Sequence, residues 1–143
     1  MKLNLIVATT LLALATQAGA QTSITGFGEL QSAINVNNSS SSGGANLRLD
    51  ADVTATAKLT EVKKDLTLTG KEATKAINGG TAVWYDGFVI SGNGTKLTLK
   101  DLLLKNFNNS AVTVNSGSIA DITNVRFNSN SAISGGAIFN YDT

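Results

Sequence analysis

Leu99-Lys100-Asp101-Leu102-Leu103-Leu104-Lys105-Asn106-Phe107-Asn108 is answered twenty residues later by Ile119-Ala120-Asp121-Ile122-Thr123-Asn124-Val125-Arg126-Phe127-Asn128. Leu99, Asp101, Leu102, Phe107 and Asn108 return as Ile119, Asp121, Ile122, Phe127 and Asn128, and Ala111-Val112 returns as Ala132-Ile133, slipped by one. Short β-prone runs with a period near 20 predict a solenoid of stacked rungs. Like residues would then lie about 4.8 Å apart in successive rungs: Leu over Ile, Phe over Phe, Asn over Asn. An antiparallel sandwich also uses short alternating strands, but it does not require residue types to return.

Outward from this segment the same period of two recurs. Leu47-Arg48-Leu49, Leu66-Thr67-Leu68-Thr69 closed by Gly70, Leu97-Thr98-Leu99 and Val112-Thr113-Val114 each alternate apolar with polar, as strands with one buried face do. Between them stand turn signals: Asn78-Gly79-Gly80, Gly92-Asn93-Gly94, Asn115-Ser116-Gly117 and Asn128-Ser129-Asn130. From Asn106 to Tyr141 the only charges are Asp121 and Arg126. Stacked faces avoid like charges about 5 Å apart, which repel by about 1 kcal/mol even in water.

Nearer the N-terminus, Gly26 to Asn35 predicts a helix with Leu30, Ala33 and Ile34 on one face. It is short enough to need a surface to pack on, and covering the open end of a solenoid would supply one. Asn37 to Gly44 is a polar run that predicts a surface loop. The first residues form a leader: Lys2, the apolar run Leu3 to Ala15, and a small-x-small cleavage pattern at Ala18-Gly19-Ala20. The expected organisation is a signal peptide over 1–20, cap helix and Ser/Asn/Gly loop over 21–46, and rungs over 47–143.

Composition narrows the chemistry. The 143 residues include no Cys, His or Pro, with 14 Gly and a net charge of +1. Disulfides, Cys/His zinc sites and imidazole-based triads are excluded. So near-neutral a balance supplies no field for nucleic acid, so no nucleic-acid partner is expected. Acid–base or metal chemistry is left to ten carboxylates, Lys and Tyr. Asp101 and Asp121, at matching repeat positions with Arg126 near, are the candidate metal ligands; the competing reading is that each opens a turn. Asp50 and Asp52 share a strand side and form a second acidic pair, with a solvated rim as the alternative. Trp84-Tyr85 and Phe88 could stack on a sugar, or pack in a core.

Several of these stretches resemble the right-handed parallel β-helix, or pectate-lyase-like, superfamily. Glu29 to Asn35 resembles its capping helix, Leu47 to Val53 and Asp65 to Gly70 its first rungs, and Lys96 to Leu102 with Lys105-Asn106 a later rung. Gly135, Gly136, Ala137 and Ile138 match the GGAI motif of chlamydial-type polymorphic outer membrane proteins, and Phe127 to Asn130 matches their FxxN motif. Phe107 to Ser110 departs from FxxN at its last residue. The resemblance implies an all-β right-handed parallel β-helix of about four to six rungs with an N-terminal capping helix. It further implies an exported, surface-exposed passenger or adhesin that binds a host surface or glycan, with no catalytic residues and no cofactor. Such a passenger reaches the outer membrane through a C-terminal region beyond Thr143, so the chain is expected to be an N-terminal fragment. The alternative is a carbohydrate-active enzyme of the polysaccharide-lyase type.

Overall fold

The computed structural model describes residues 20–80 and 85–141. The expected leader at residues 1–19 and Trp84 lie outside them. β1 (Thr22–Ile24) leads into α1 (Phe27–Ser39), followed by β2 (Ala45–Leu49), β3 (Val53–Thr54), β4 (Leu66–Gly70) and β5 (Ala76–Asn78). Then come β6 (Phe88–Ile90), β7 (Lys96–Lys105), β8 (Val112–Val114), β9 (Ile119–Asn128) and β10 (Ile138–Asn140). Every strand pairing is parallel. One sheet runs β1-β2-β4-β7-β5-β3, with β9 added on β7; a second runs β10-β8-β6.

The expected right-handed parallel β-helix is corrected here. The strands form two flat parallel sheets and not a solenoid of stacked rungs. Repetition in the sequence dictates parallel neighbours in register, and a flat sheet meets that demand as well as a coil does. The steps between partners are also unequal: Ala45 pairs with Leu66, but Leu66 must wait for Leu97. The long interval before Leu97 holds both β5 and β6, and β6 belongs to the second sheet.

Apolar columns cross the sheets. Leu47, Leu68, Leu99 and Ile122 are successive partners, as are Val53, Ile77, Leu104 and Phe127, and in the second sheet Phe88, Val112 and Ile138. Strand alternation sends these side chains inward, where Leu47, Leu68, Leu99, Leu104, Phe88 and Val112 are buried.

β7 and β9 do not alternate evenly along their length. Asp101 (φ 53°) and Asn124 (φ 51°) sit in the left-handed region, which Asp and Asn tolerate better than most residues. Each shifts the alternation by one, so that Leu97, Leu99, Leu102 and Leu104 are all buried. Gly70 lies against this bend. A Cβ there would stand 2.0 Å from the Asp101 carbonyl oxygen, so no other residue fits.

α1 starts as expected and runs on to Ser39. Glu29 accepts hydrogen bonds from the backbone N–H (2.6 Å) and hydroxyl (2.9 Å) of Thr25, a capping-box-like contact that also sets its charge at the positive end of the helix. Leu30, Ala33 and Ile34 enter the core beside β1 and β2. The polar face is fastened by side-chain amides. Gln31 donates to Lys58 O (2.9 Å) and accepts from Thr60 N (2.7 Å). Asn38 donates to Glu61 O (2.7 Å) and accepts from Lys63 N (2.9 Å). Asn37 donates to Asp65 O (2.9 Å) and accepts from Ala45 N (2.9 Å). The start of the run expected to be loop is thus helix, and Asn37 is only 3% exposed.

Replacing Asn37 by Ala orphans the buried Ala45 N–H, and the expected loss is roughly 1–3 kcal/mol. Asn37→Asp, which keeps the acceptor, should lose less. Urea unfolding measures both. A loss below about 0.5 kcal/mol for the Ala variant, typical of a surface position, would show that the amide does not hold the helix.

The Asp50 carboxyl is held well below the usual carboxylate range, first by the bidentate hydrogen bonds from Arg48 (2.6 and 3.0 Å) and then by the Ser23 hydroxyl. Arg48 is raised in return. A depressed folded pKa stabilises fully above the unfolded value near about 4, and the stabilisation is lost as pH falls from there through the folded value. Melting temperatures of the wild type and Asp50→Asn should therefore differ most above about pH 4 and converge in stronger acid. A gap that stays constant down the acid range would rule out this linkage.

Candidate functional site

The second sheet carries a cleft of about 380 Å³ on its outer side. Its floor is Thr113, the middle residue of β8, whose hydroxyl donates to Asp86 Oδ1 at 3.2 Å. Phe139 of β10 is the register partner of Thr113, and Tyr141 lies two residues on. Their rings meet edge to face, with centroids 4.5 Å apart and planes at 78°. The Tyr141 backbone is fixed by its N–H to Val114 O at 2.8 Å, while its side chain stays exposed. Asn108, Asn109 and Ser110 form one wall, Ile133 and Ser134 the other. Ser131 N donates to Phe107 O at 2.9 Å, which ties the second wall to the first. The lining therefore offers aromatic faces, two side-chain amides, hydroxyls and one carboxylate, with no Lys or Arg.

A larger hollow of about 680 Å³ follows the seam between α1 and residues 58–63. Its Asn38 amide is already committed to Glu61 O and Lys63 N. That seam is a helix attachment, and the cleft on β8 is the better candidate for a ligand.

The residues singled out from the sequence fall elsewhere. Asp101 and Asp121 are not partners: Asp121 pairs with Thr98 and forms an ion pair with Lys96 (3.2 Å). Asp101 accepts from Asn124 Nδ2 at 2.7 Å. The true offset follows Leu102 to Val125 and Leu104 to Phe127, so the twenty-residue match misaligned the two segments. Arg126 donates to Ala73 O at 3.2 Å. Asp50 is held by Arg48, whereas Asp52 accepts from Ala76 N at 2.9 Å, so the two carboxylates serve separate partners. Among the described residues no three Asp, Glu, His or Cys side chains gather as a metal site would require. Phe88 is wholly buried beneath Val112 and presents no face to a sugar.

The two short motifs have structural work. Asn130 accepts from Phe107 N (3.0 Å) and donates to Leu104 O (3.0 Å), clamping the chain after β9 to the end of β7. Phe127 packs against the core on the Leu104 column. Gly135 takes φ 60°, and a Cβ there would approach Ile138 O to 2.3 Å. Gly136 and Ala137 offer their carbonyls to Ala111 N (3.1 Å) and Val112 N (3.0 Å), and Ile138 pairs with Val112. Together these four residues deliver the chain into β10 and so place Phe139.

Sequence reasoning missed Asp86, Asn108, Asn109, Thr113, Phe139 and Tyr141. One signal was available: Phe139 and Tyr141 are two apart after an Ile in strand-like sequence, so they share a face. No family model, curated protein or solved structure matches the chain.

With Asp101 and Asp121 out of register, millimolar Ca²⁺ should leave the melting temperature unchanged, and Asp101→Asn should do no more than weaken the bend. A calcium-dependent rise that Asp101→Asn abolishes would restore a shared carboxylate site. Differential scanning fluorimetry reads both.

Proposed function

We propose that the chain is a binding module that takes a neutral glycan in the cleft on β8, and that it acts after export, at a cell surface. The observation that carries this reading is the lining itself. Exposed Tyr141 set edge-on to Phe139 offers an apolar face for a sugar ring, and Asn108, Asn109, Ser110 and Thr113 ring it with donors and acceptors. Asp86 makes an anionic sugar unwelcome, because no basic residue among those lining the cleft would neutralise it.

The same point weighs against a polysaccharide lyase, whose acidic substrate needs cationic neutralisation. Glycoside hydrolysis asks for two opposed carboxylates, and the described lining carries only Asp86. Export is supported by the leader pattern at Lys2 to Ala20, and the surface setting by the resemblance of Phe127 to Asn130 and Gly135 to Ile138 to outer-membrane passenger motifs. Among the described residues no helix is long and apolar enough to cross a membrane.

Amide NMR titration with a panel of neutral and acidic oligosaccharides tests the assignment. A neutral ligand should shift Thr113, Phe139 and Tyr141, and Tyr141→Ala should weaken binding by about tenfold, or 1.4 kcal/mol, without changing the fold. Shifts confined to acidic sugars, or binding that ignores Tyr141, would refute it.

A further inference from the structure

We propose that the free edge of β9 pairs antiparallel with the same edge of a second copy of this chain, about a two-fold axis between Thr123 and Asn124. Among the described residues only β7 pairs with β9, so one side of a ten-residue strand has no strand beside it. Long, open edges of this kind template pairing with another chain. The edge is also apolar for its position. Ile119 is 48% exposed, and Ala120, Ile122, Val125 and Phe127 are only half-buried where their β7 partners Leu97, Leu99, Leu102 and Leu104 are buried.

Three independent properties of β9 are unchanged when it is reversed about that axis. The first is backbone polarity. Ile119 N–H donates to Thr95 O (2.8 Å) and Asn128 O accepts from Asn106 N (3.1 Å), so both ends bond toward β7. Alternation on each side of the Asn124 bend leaves Ala120, Ile122, Val125 and Phe127 with backbone groups facing away. Reversal sets Ala120 opposite Phe127 and Ile122 opposite Val125, so free groups meet free groups.

The second is facing. Those same four residues are the inward ones, so apolar side chains meet apolar side chains across the contact. The third is charge. Asp121 and Arg126, the only charged residues on β9, are both exposed, and reversal sets each opposite the other, giving two cross-chain ion pairs. The hydrogen bond from Arg126 to Ala73 O and the Lys96–Asp121 ion pair leave further guanidinium donors and carboxylate lone pairs for the second copy. A contact of this symmetry uses one patch twice and closes at two subunits.

Sedimentation velocity on the full chain, at concentrations up to the order of 100 µM, should show a monomer–dimer equilibrium. Asp121→Arg and Arg126→Asp should each weaken it by about tenfold or more, by setting like charges opposite, and the double exchange should restore it. Circular dichroism melts confirm that each variant is folded. Register is read separately by cysteine pairing, since the chain has no cysteine of its own. Asp121→Cys mixed with Arg126→Cys should give the mixed disulfide, because such a non-hydrogen-bonded pair has Cα atoms about 4.5 Å apart. A monomer throughout, open-ended assemblies, a dimer indifferent to both reversals, or a predominance of same-variant disulfides would each overturn the proposal.

Discussion

Every strand in this molecule must offer its backbone groups to a parallel neighbour in register, and the rest of the structure follows from that requirement. Parallel register places like positions in columns, so a column is stable only if all of its members suit one environment. Leu47, Leu68, Leu99 and Ile122 satisfy this by being apolar in turn. Parallel strands also need long connections, and those connections leave donors at strand starts that no neighbour reaches. A side-chain oxygen supplies the missing acceptor each time: Asn37 for Ala45 N, Asp52 for Ala76 N and Asp65 for Lys96 N. Asn130 does the same for Phe107 N where β7 gives way to the next turn. Asn and Asp act here as strand-start caps, which explains why a fold with few charges has so many amides.

That role also explains which parts of the sequence could be read. Alternation exposed β2, β4, β7 and β8 because a half-buried strand needs a period of two. It failed at Asp101, where a left-handed residue shifts the phase and lets Leu99 and Leu102 both point inward. Matching Asp101 to Asp121 by letter therefore chose the wrong offset. The physical equivalent of Asp101 is Asn124, which shares its backbone conformation and hydrogen-bonds to it. The repeat correctly implied parallel neighbours, but the path that joins them is not encoded in which residues return, and the coil inferred from it gave way to flat sheets.

The polar face of α1 was illegible for a different reason. Gln31, Asn37 and Asn38 look like solvent-facing residues until the segment from Lys58 to Asp65 is laid against them. Nothing local distinguishes an amide that meets water from one that meets a carbonyl 23 to 28 residues away. The cleft shares this property. Asp86, Thr113, Phe139 and Tyr141 converge only because β6, β8 and β10 stack, and β10 is delivered there by the turn at Gly135. Motif residues that drew attention as recognition elements prove to be the means of placing β10, and the ligand-facing side chains are their neighbours.

Site and edge are linked through the same segment. The chain leaves β9, is clamped by Asn130, turns at Gly135 and enters β10, which carries the aromatic wall of the cleft. A second copy seated on β9 therefore lies beside that wall without using its residues. Single sugar sites on open surfaces bind weakly, because few contacts must offset the ordering of a flexible ligand. Two such sites held in one rigid pair convert the second binding event into an intramolecular one, and avidity then rises without any new contact. In this chain an unprotected strand edge, ordinarily a hazard, becomes the feature that lets a shallow polar cleft hold a repetitive surface.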